Sequence, residues 1–403
     1  MTTTPGATAR RHPHLILLLA ALSALAPLCT DLYLPVMPAM ARDLGVTQSA
    51  AQATVAAVLI GVAIGQLVIG SLSDAWGRRR PAVAGASMFV LAAVGSALAP
   101  GIASLVVIRF VAGIATAACL VTARAIVADV YPDREAARSY ATLAATVTIV
   151  PVLAPAVGGV LALFMGWRMM FVLLAGAGFL VLVTALRSLE ETLPERRPAH
   201  VGRAMGDLAG LLRLRLFGAY VACVAAAGGV LFSYIAASSF LLQVRFGMSA
   251  TSYGFVFALN ASGLFVAANV SRRLVQRTGP APLLSAGQLL TLVGVAVVAA
   301  GVAASALPLV LLGLLLTVSS MGLIISNAMA LAMAHARGRA GSAAGLFGIA
   351  QFAFGGLVAP LAGAGGSAWS FVLLVAGCAL AGPLLRVVLV RGPGTVAESA
   401  AQP

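Results

Sequence analysis

The sequence predicts an all-α membrane protein with twelve transmembrane helices in two similar halves of six, and three observations support this fold class. Apolar residues make up 61% of the 403 residues and charged residues only 9%, whereas roughly a quarter of a soluble domain is charged. Apolar runs of about 20 residues, long enough to cross a bilayer as a helix, recur along the whole chain. Short motifs of the first half also return in the second half, about 200 residues later.

Six predicted helices form the first half, residues 1–189, and six form the second, residues 216–403. Apolar length, Gly and Pro breaks and charged turns place the first six at 14–40, 50–73, 81–100, 104–130, 138–164 and 168–189. The same signals place the other six at 216–244, 252–271, 281–301, 307–333, 340–364 and 368–391. The intervening segment, 190–215, is acidic first and then basic, and we expect it to be a flexible cytoplasmic linker.

The distribution of arginine predicts the orientation. All 25 basic residues are arginines. With both termini cytoplasmic, the outer loops contain only Arg42, Arg168 and Arg245, while Arg109 and Arg124 lie inside the fourth span and every other arginine falls in an inner segment. The positive-inside rule therefore predicts a multi-pass protein of a bacterial cytoplasmic (inner) membrane with both termini inside. Because the net charge of +14 is spread among short loops, nucleic-acid binding is not expected.

Two motifs recur in the same order in both halves. The stretch 154–158, Ala-Pro-x-x-Gly, returns at 359–363, and Phe-Val-Leu-Leu at 171–174 returns at 371–374. Each second motif follows a tryptophan, at the start of the last helix of its half. This order and offset predict duplicated halves in parallel arrangement, which is an architecture suited to alternating access.

Asp31 is the acidic side chain that lies deepest within a predicted span. Burying it in ionised form costs several kcal/mol without a partner, so such a residue usually has a function. Arg109 lies at a similar depth, with a difference of ~6 Å at helical rise, and the two can pair across the bundle. Opening the site to either side would change whether Asp31 holds a proton, which makes the two residues candidates for proton coupling. The alternative is a static ion pair that only fixes helix packing.

The loop after the second helix, Gly70–Pro81, is the most specific local pattern. Glycine permits close helix approach, Asp74 lies at a helix end, and Arg78 and Arg79 lie at the cytoplasmic surface, so the loop can hold one conformation closed. The alternative is an ordinary positively charged turn that happens to contain an acid.

This loop resembles the signature loop of the major facilitator superfamily, G-x-L-a-D-r-x-G-r-k/r, at Gly70, Leu72, Asp74, Gly77, Arg78 and Arg79. The resemblance implies the major facilitator fold and a gating role for the loop.

Two further stretches are similar to motifs of that superfamily. The segment 109–113 resembles the R-x-x-q-G motif, whose arginine is tied to proton transfer, with Ala112 in place of glutamine. The segment 154–159 resembles the antiporter motif G-P-x-x-G-G at Pro155, Gly158 and Gly159. This second motif separates exporters from symporters, so the resemblance favours export.

A finer resemblance connects the segments 31–38 and 123–129 with the bicyclomycin/chloramphenicol-resistance subfamily of drug:proton antiporters. Ala128 departs from that pattern, which often has an arginine there. The resemblance covers residues 14–391 and implies proton-coupled efflux of amphenicol-like or other lipophilic drugs by alternating access. It implies the proton as coupling ion, no other cofactor, and a small-molecule substrate handled by a monomer in the lipid bilayer.

The predicted substrate pocket must be largely apolar, because the second half has no acid within a span. Aromatic and amide side chains are then the candidates, and each can instead serve packing or an interhelical hydrogen bond. The candidates are Tyr33, Phe232, Tyr234, Asn260, Asn327, Gln351 and Phe354.

Other function classes fit the sequence less well. A dedicated exporter, facilitator or symporter of a small metabolite is the alternative within transport. A membrane enzyme should have catalytic histidines, paired acids or a soluble domain, and an ATP-driven pump should have a nucleotide-binding loop. Neither pattern occurs in the sequence. His12 and His14 alone provide too few ligands for a metal site, so none is predicted.

Overall fold

A computed structural model describes residues 13–193, 201–336 and 340–390, and every regular element in these ranges is helical. Twelve of the helices are long and apolar enough to cross a membrane, which confirms the predicted fold class. The first half contains α1 (Pro13–Asp31), α2 (Gln48–Trp76), α3 (Arg79–Ala97), α4 (Ile102–Val130), α5 (Asp133–Leu161) and α6 (Trp167–Ser188). The second contains α7 (Arg215–Ser239), α8 (Ala250–Thr278), α9 (Pro280–Ala303), α10 (Leu307–Met333), α11 (Ala340–Val358) and α12 (Ala368–Val390).

The first span breaks in the middle, which the sequence analysis did not predict. The α-helix ends at Asp31 and resumes as a 3₁₀ turn, Leu34–Val36, and a short α-helix, Met37–Asp43. Proline lacks an N–H and its ring clashes with the carbonyl four residues earlier, so Pro35 disrupts the helix at Asp31. The break therefore leaves Asp31 at an open helix end within the membrane.

Two other spans extend beyond their predicted bounds at one end. Helix α5 begins directly after Pro132, five residues before the predicted start. Helix α8 continues through Arg272 and Arg273 to Thr278, where Gly279 ends it with a φ of 75°. In both cases polar residues extend the helix beyond the apolar run that marks the span. Gly77 ends α2 in nearly the same way, with a φ of 88°, so the two halves place equivalent glycines after their second helices.

The two halves meet mainly through two pairs of helices, α2 with α11 and α5 with α8. Close approaches between α5 and α8 lie at the ends remote from the 190–215 linker, where Gly159 contacts the backbone of Ala250 and Gly254 that of Pro155. We call that end the far side and the opposite end the linker side. Toward the linker side α5 becomes exposed, so the halves separate there.

The described parts of the linker, 190–193 and 201–215, make more contacts than expected of a flexible tether. The linker contains the helix Val201–Leu212, which packs against α7 and α11, and Leu211 of this helix is buried. Residues 189–193 are also held in place by the first half. The expectation of a flexible segment is thus wrong for both stretches, because side-chain packing and hydrogen bonds fix them.

Candidate functional site

A cavity of about 400 Å³ lies between the two halves. Its size falls within the range of small-molecule sites, roughly 300–1,000 Å³. The first half lines it with α1, α2, α4 and α5, and the second half with α7, α8, α10 and α11. Most lining side chains are aliphatic or aromatic, so the cavity suits a lipophilic molecule.

Asp31 lies in the wall of this cavity at the broken end of α1. Its side chain is only 3% exposed, and Oδ1 is buried without a hydrogen-bond partner among the described residues. An unpaired buried carboxylate is costly in ionised form. Asp31 can therefore accept a proton or bind a polar or cationic group that enters the cavity.

Arg109 is fully buried inside the first half and does not pair with Asp31. Its guanidinium donates to the Sγ of Cys29 at 3.1 Å and to the backbone oxygen of Cys29 at 2.5 Å. It also lies over the rings of Tyr33 and Phe171, at 4.7 and 5.3 Å from their centroids. The expected Asp31–Arg109 ion pair is thus absent among the described residues.

The break in α1 explains why Arg109 has this partner. The carbonyl of Cys29 lies in the last turn of α1, where helical carbonyls have no intrahelical donor. Arg109 supplies the missing donor and so caps the helix end whose last residue is Asp31. The two predicted coupling residues are connected through this helix end instead of by a direct bond.

Three of the seven predicted pocket residues line the cavity: Phe232, Tyr234 and Gln351. Phe232 packs against Phe352 with ring centroids 5.2 Å apart, and Tyr234 stacks on Phe257 at the same distance. These two pairs supply the aromatic part of the wall that the second half contributes. Phe257 and Phe352 were not among the predicted pocket residues, because spacing alone does not distinguish a cavity-facing aromatic from a lipid-facing one.

The other four predicted pocket residues lie outside the cavity lining, which corrects the prediction. Tyr33 is buried within the first half, where its hydroxyl shares a hydrogen bond of 2.9 Å with Thr54. Asn260 donates to the Tyr234 hydroxyl at 3.0 Å, so it positions a lining residue from behind.

The remaining two of these, Asn327 and Phe354, make contacts between helices of the second half. Asn327 joins α10 to α8 by donating to Ser271 at 2.7 Å. Phe354 packs against Gly229 of α7. Both side chains are thus used in packing, the alternative role that the sequence left open.

On the linker side, Arg78 is the centre of a polar cluster. Its guanidinium bonds Asp74 at 2.6 Å, Asp129 at 2.7 Å and the hydroxyl of Ser73 at 2.7 Å. Arg78 thereby connects the ends of α2 and α4. Gly70, by contrast, has open space around it, so the expected close helix approach does not occur at that glycine.

Glu191 joins this cluster, although the sequence analysis assigned it only to the linker. Its carboxylate accepts the backbone N–H groups of Arg78 at 2.7 Å and Arg79 at 3.4 Å, at the start of α3. A side chain on Gly77 would collide with that carboxylate. Burial would raise the pKa of Glu191, but backbone hydrogen bonds from Arg78 and its neighbours outweigh burial and lower it.

Arg79 fixes the end of α6 to the same loop. Its side chain donates to the carbonyls of Leu189 at 2.8 Å and Leu186 at 3.1 Å. A helix C-terminus has free carbonyls that attract cations, which explains this contact. The loop therefore holds the ends of α2, α3, α4 and α6 together.

The antiporter-like glycines serve close contacts of α5. A side chain on Gly158 would collide with the carbonyl of Leu32, in the break of α1, and one on Gly159 would lie 2.6 Å from the carbonyl of Ala250 in α8. Pro155 supplies a carbonyl that Gly254 of α8 approaches equally closely. These residues thus pack α5 against both the Asp31 region and the other half.

Three side chains donate hydrogen bonds to backbone carbonyls across the halves on the far side. Gln243 donates to Pro35 at 3.0 Å, Thr251 to Gly159 at 2.8 Å, and Ser49 to Pro360 at 2.8 Å. The acceptors lie in helix breaks or last turns, where carbonyls are free. These neutral contacts close the far side.

The sequence matches the model of the Major Facilitator Superfamily over residues 19–360. It is 33% identical to the uncharacterized MFS-type transporter YdgK of Bacillus subtilis, over 88% of this chain and 90% of that protein. It is 31% identical to a chloramphenicol resistance protein of Pseudomonas aeruginosa, over 68% and 64%. The multidrug resistance protein MdtL of Escherichia coli is 30% identical, over 92% and 94%.

A solved structure of similar fold is the bacterial homologue of the human lysosomal transporter Spinster, in an inward-facing, unoccupied conformation. The TM-score is 0.72 at 16% identity, over 94% of this chain and 96% of that one. At this identity the likeness concerns the fold alone.

Proposed function

We propose that this chain, which belongs to the Major Facilitator Superfamily, exports lipophilic drugs across the cytoplasmic membrane in exchange for protons. The chain is a multi-pass membrane transporter and not an enzyme. Relatives named for chloramphenicol and multidrug resistance, at about 30% identity, support a drug as substrate. The positive-inside distribution supports placing both termini and the linker in the cytoplasm.

The observation that carries this proposal is the carboxylate of Asp31 in the wall of an otherwise apolar cavity between the halves. When the cavity opens to the outside, water can deliver a proton to Asp31. When it opens to the cytoplasm, a substrate can enter and the proton can leave. The proton gradient favours uptake from the outside, the closed cavity retains the proton because desolvation disfavours the ionised form, and entry of water and substrate from the cytoplasm favours its release.

Arg109 and the gate residues complete the mechanism. Arg109 holds the end of α1 and transmits changes at Asp31 into the break of that helix. The Arg78 cluster and the three far-side hydrogen bonds are the contacts that change when access alternates. The substrate contacts are Phe232, Tyr234 and Gln351, with the protein acting as a monomer.

The test is drug efflux by purified protein in proteoliposomes with an imposed pH gradient, together with susceptibility of an efflux-deficient bacterium. The panel contains amphenicols, bicyclomycin, dyes and lipophilic cations. We expect gradient-driven efflux and reduced susceptibility for at least one lipophilic class. Confirmed expression with no change across the panel would refute drug export and favour a dedicated metabolite carrier.

A further inference from the structure

Arg124 is a within-span arginine that the mechanism above does not use. It lies in α4, one helical turn toward the linker side from Leu120, which lines the cavity. We call the opening between the halves, from the cavity to the linker side, the passage. Residues four positions apart share a helix face, so Arg124 lies on the same face of α4 as Leu120, farther along the passage. Its side chain is exposed on the side where the halves separate.

Tyr140 of α5 lies on the neighbouring wall of the same passage. It is two turns toward the linker side from Val147, another cavity-lining residue, and is 40% exposed. Its hydroxyl donates to the backbone oxygen of Arg124 at 3.1 Å. This bond joins the two walls and leaves the Arg124 guanidinium uninvolved.

The charge of Arg124 is not neutralised by any described carboxylate within 4.0 Å. The acid on the same helix, Asp129, bonds Arg78 instead at 2.7 Å. Glu135, at the start of α5, also makes no ion pair among the described side chains. An unpaired cation beside the passage exerts its field on any molecule that enters.

We propose that Arg124 is a specificity-determining residue that filters entering molecules by charge. It favours neutral and anionic lipophilic molecules over cations on their way to the cavity. The substrate class is then a neutral or weakly acidic lipophile, which rests on the proposed export function. The charge selection itself depends only on the passage and can be measured without transport.

The experiment measures how fast charged thiol reagents reach the cavity. Thr148, a cavity-lining residue of α5, is replaced by cysteine as a reporter, and all four native cysteines are buried. Purified protein is treated with the cationic trimethylammonium-ethyl and the anionic sulfonato-ethyl methanethiosulfonates. The ratio of anionic to cationic modification rates is compared between variants, so intrinsic reagent reactivity cancels. Val147→Cys provides a second reporter.

We expect Arg124→Gln to lower this ratio by about threefold to tenfold, the scale of one partly screened charge at close range. Arg124→Lys should keep the ratio near wild type. Arg187→Gln removes an equal charge from the exposed end of α6, away from the cavity lining, and should leave the ratio unchanged.

An unchanged ratio in Arg124→Gln, or an equal slowing of both reagents, would overturn the proposal. An equal change in Arg187→Gln would overturn it too, as would two reporters that react with neither reagent. A failed drug panel would refute export while leaving the rate ratio intact, so the two failures are distinguishable.

Discussion

At the scale of single residues, one helix break gives two charged side chains different environments. Asp31 ends the helix and faces the cavity, whereas Arg109 binds the freed carbonyl of Cys29 behind it. Two aromatic rings cover the guanidinium, and these cation–π contacts stabilise its positive charge without a carboxylate. The carboxylate therefore stays available for a proton.

Asp31→Asn should reduce pH-gradient-driven efflux to the level of protein-free liposomes, because the amide fills nearly the same volume but cannot release a proton. Substrate binding should persist in the variant. The measurement is efflux in proteoliposomes, with drug binding measured in parallel. Asp43→Asn, which removes a carboxylate bonded to Arg168 at the end of the first span, is the control and should transport normally. Wild-type efflux by Asp31→Asn would place the proton site elsewhere.

Glu191→Gln should weaken the linker-side cluster at neutral pH, because the amide accepts the N–H groups of Arg78 and Arg79 less strongly. At an exposed site the loss should stay below about 1 kcal/mol. The folded pKa of Glu191 lies below its usual 4.5, so its contribution is present above that value and disappears as pH falls through the folded pKa.

The check for Glu191 is the difference in melting temperature between variant and wild type, measured at pH 7 and near pH 4. We expect the difference to shrink at the lower pH. Glu190→Gln alters the neighbouring exposed acid and should show no such difference. A pH-independent difference would contradict the assigned role.

At the scale of elements, α5 packs against both the broken helix end at Asp31 and the other half. Gly158 contacts the break of α1, and the next residue, Gly159, contacts α8. Small residues allow helices to approach closely enough for such backbone contacts in a membrane. Neither close contact would be possible if Gly158 or Gly159 carried a side chain, which explains the two glycines of the antiporter-like motif.

Gly158→Ala should impair both stability and transport, since the added methyl group collides with the Leu32 carbonyl, and α5 or the broken part of α1 must move. Overpacking of this kind costs about 1–3 kcal/mol. Gly176→Ala in α6 is the matched control, because open space surrounds that glycine. Thermal unfolding in detergent and efflux rates test the pair, and equal behaviour of the two variants would count against the contact.

At the scale of the whole molecule, the polar contacts on the two sides of the cavity differ in chemistry and in place. The linker side has a charged cluster around Arg78 within the first half, and the far side has neutral hydrogen bonds between halves. Each neutral bond contributes only about 1 kcal/mol net. Among the described residues no ion pair joins the two halves on the far side, so these weak bonds are the polar contacts that opening must break.

One proton should be exchanged per substrate, because Asp31 is the acid in the cavity wall and Asp74 and Asp129 lie at linker-side helix ends. Exchange for a neutral drug then moves one positive charge, and exchange for a monovalent cation moves none. One charge across 100 mV corresponds to about 2.3 kcal/mol, so membrane potential should accelerate only neutral-drug transport. Inside-out vesicles with potential and pH gradient collapsed separately test this. Equal acceleration of both substrates would require a second proton site.

The sequence by itself determined the twelve helices, their approximate bounds and the burial of Asp31 within a span, because apolar length and the position of a charge in an apolar run are local properties. The gating role of the loop Gly70–Pro81 and the export role of the α5 glycines were implied by the resemblance to known motifs, and both stay predictions. Only the tertiary structure showed that Arg109 caps α1 away from Asp31, that Glu191 joins the gating loop, and that Asn327 and Phe354 lie outside the cavity. These facts depend on which face each helix turns toward its neighbours. In a chain whose helix faces are mostly apolar, the sequence pattern does not distinguish a face that contacts lipid from one that packs on a helix or lines the cavity.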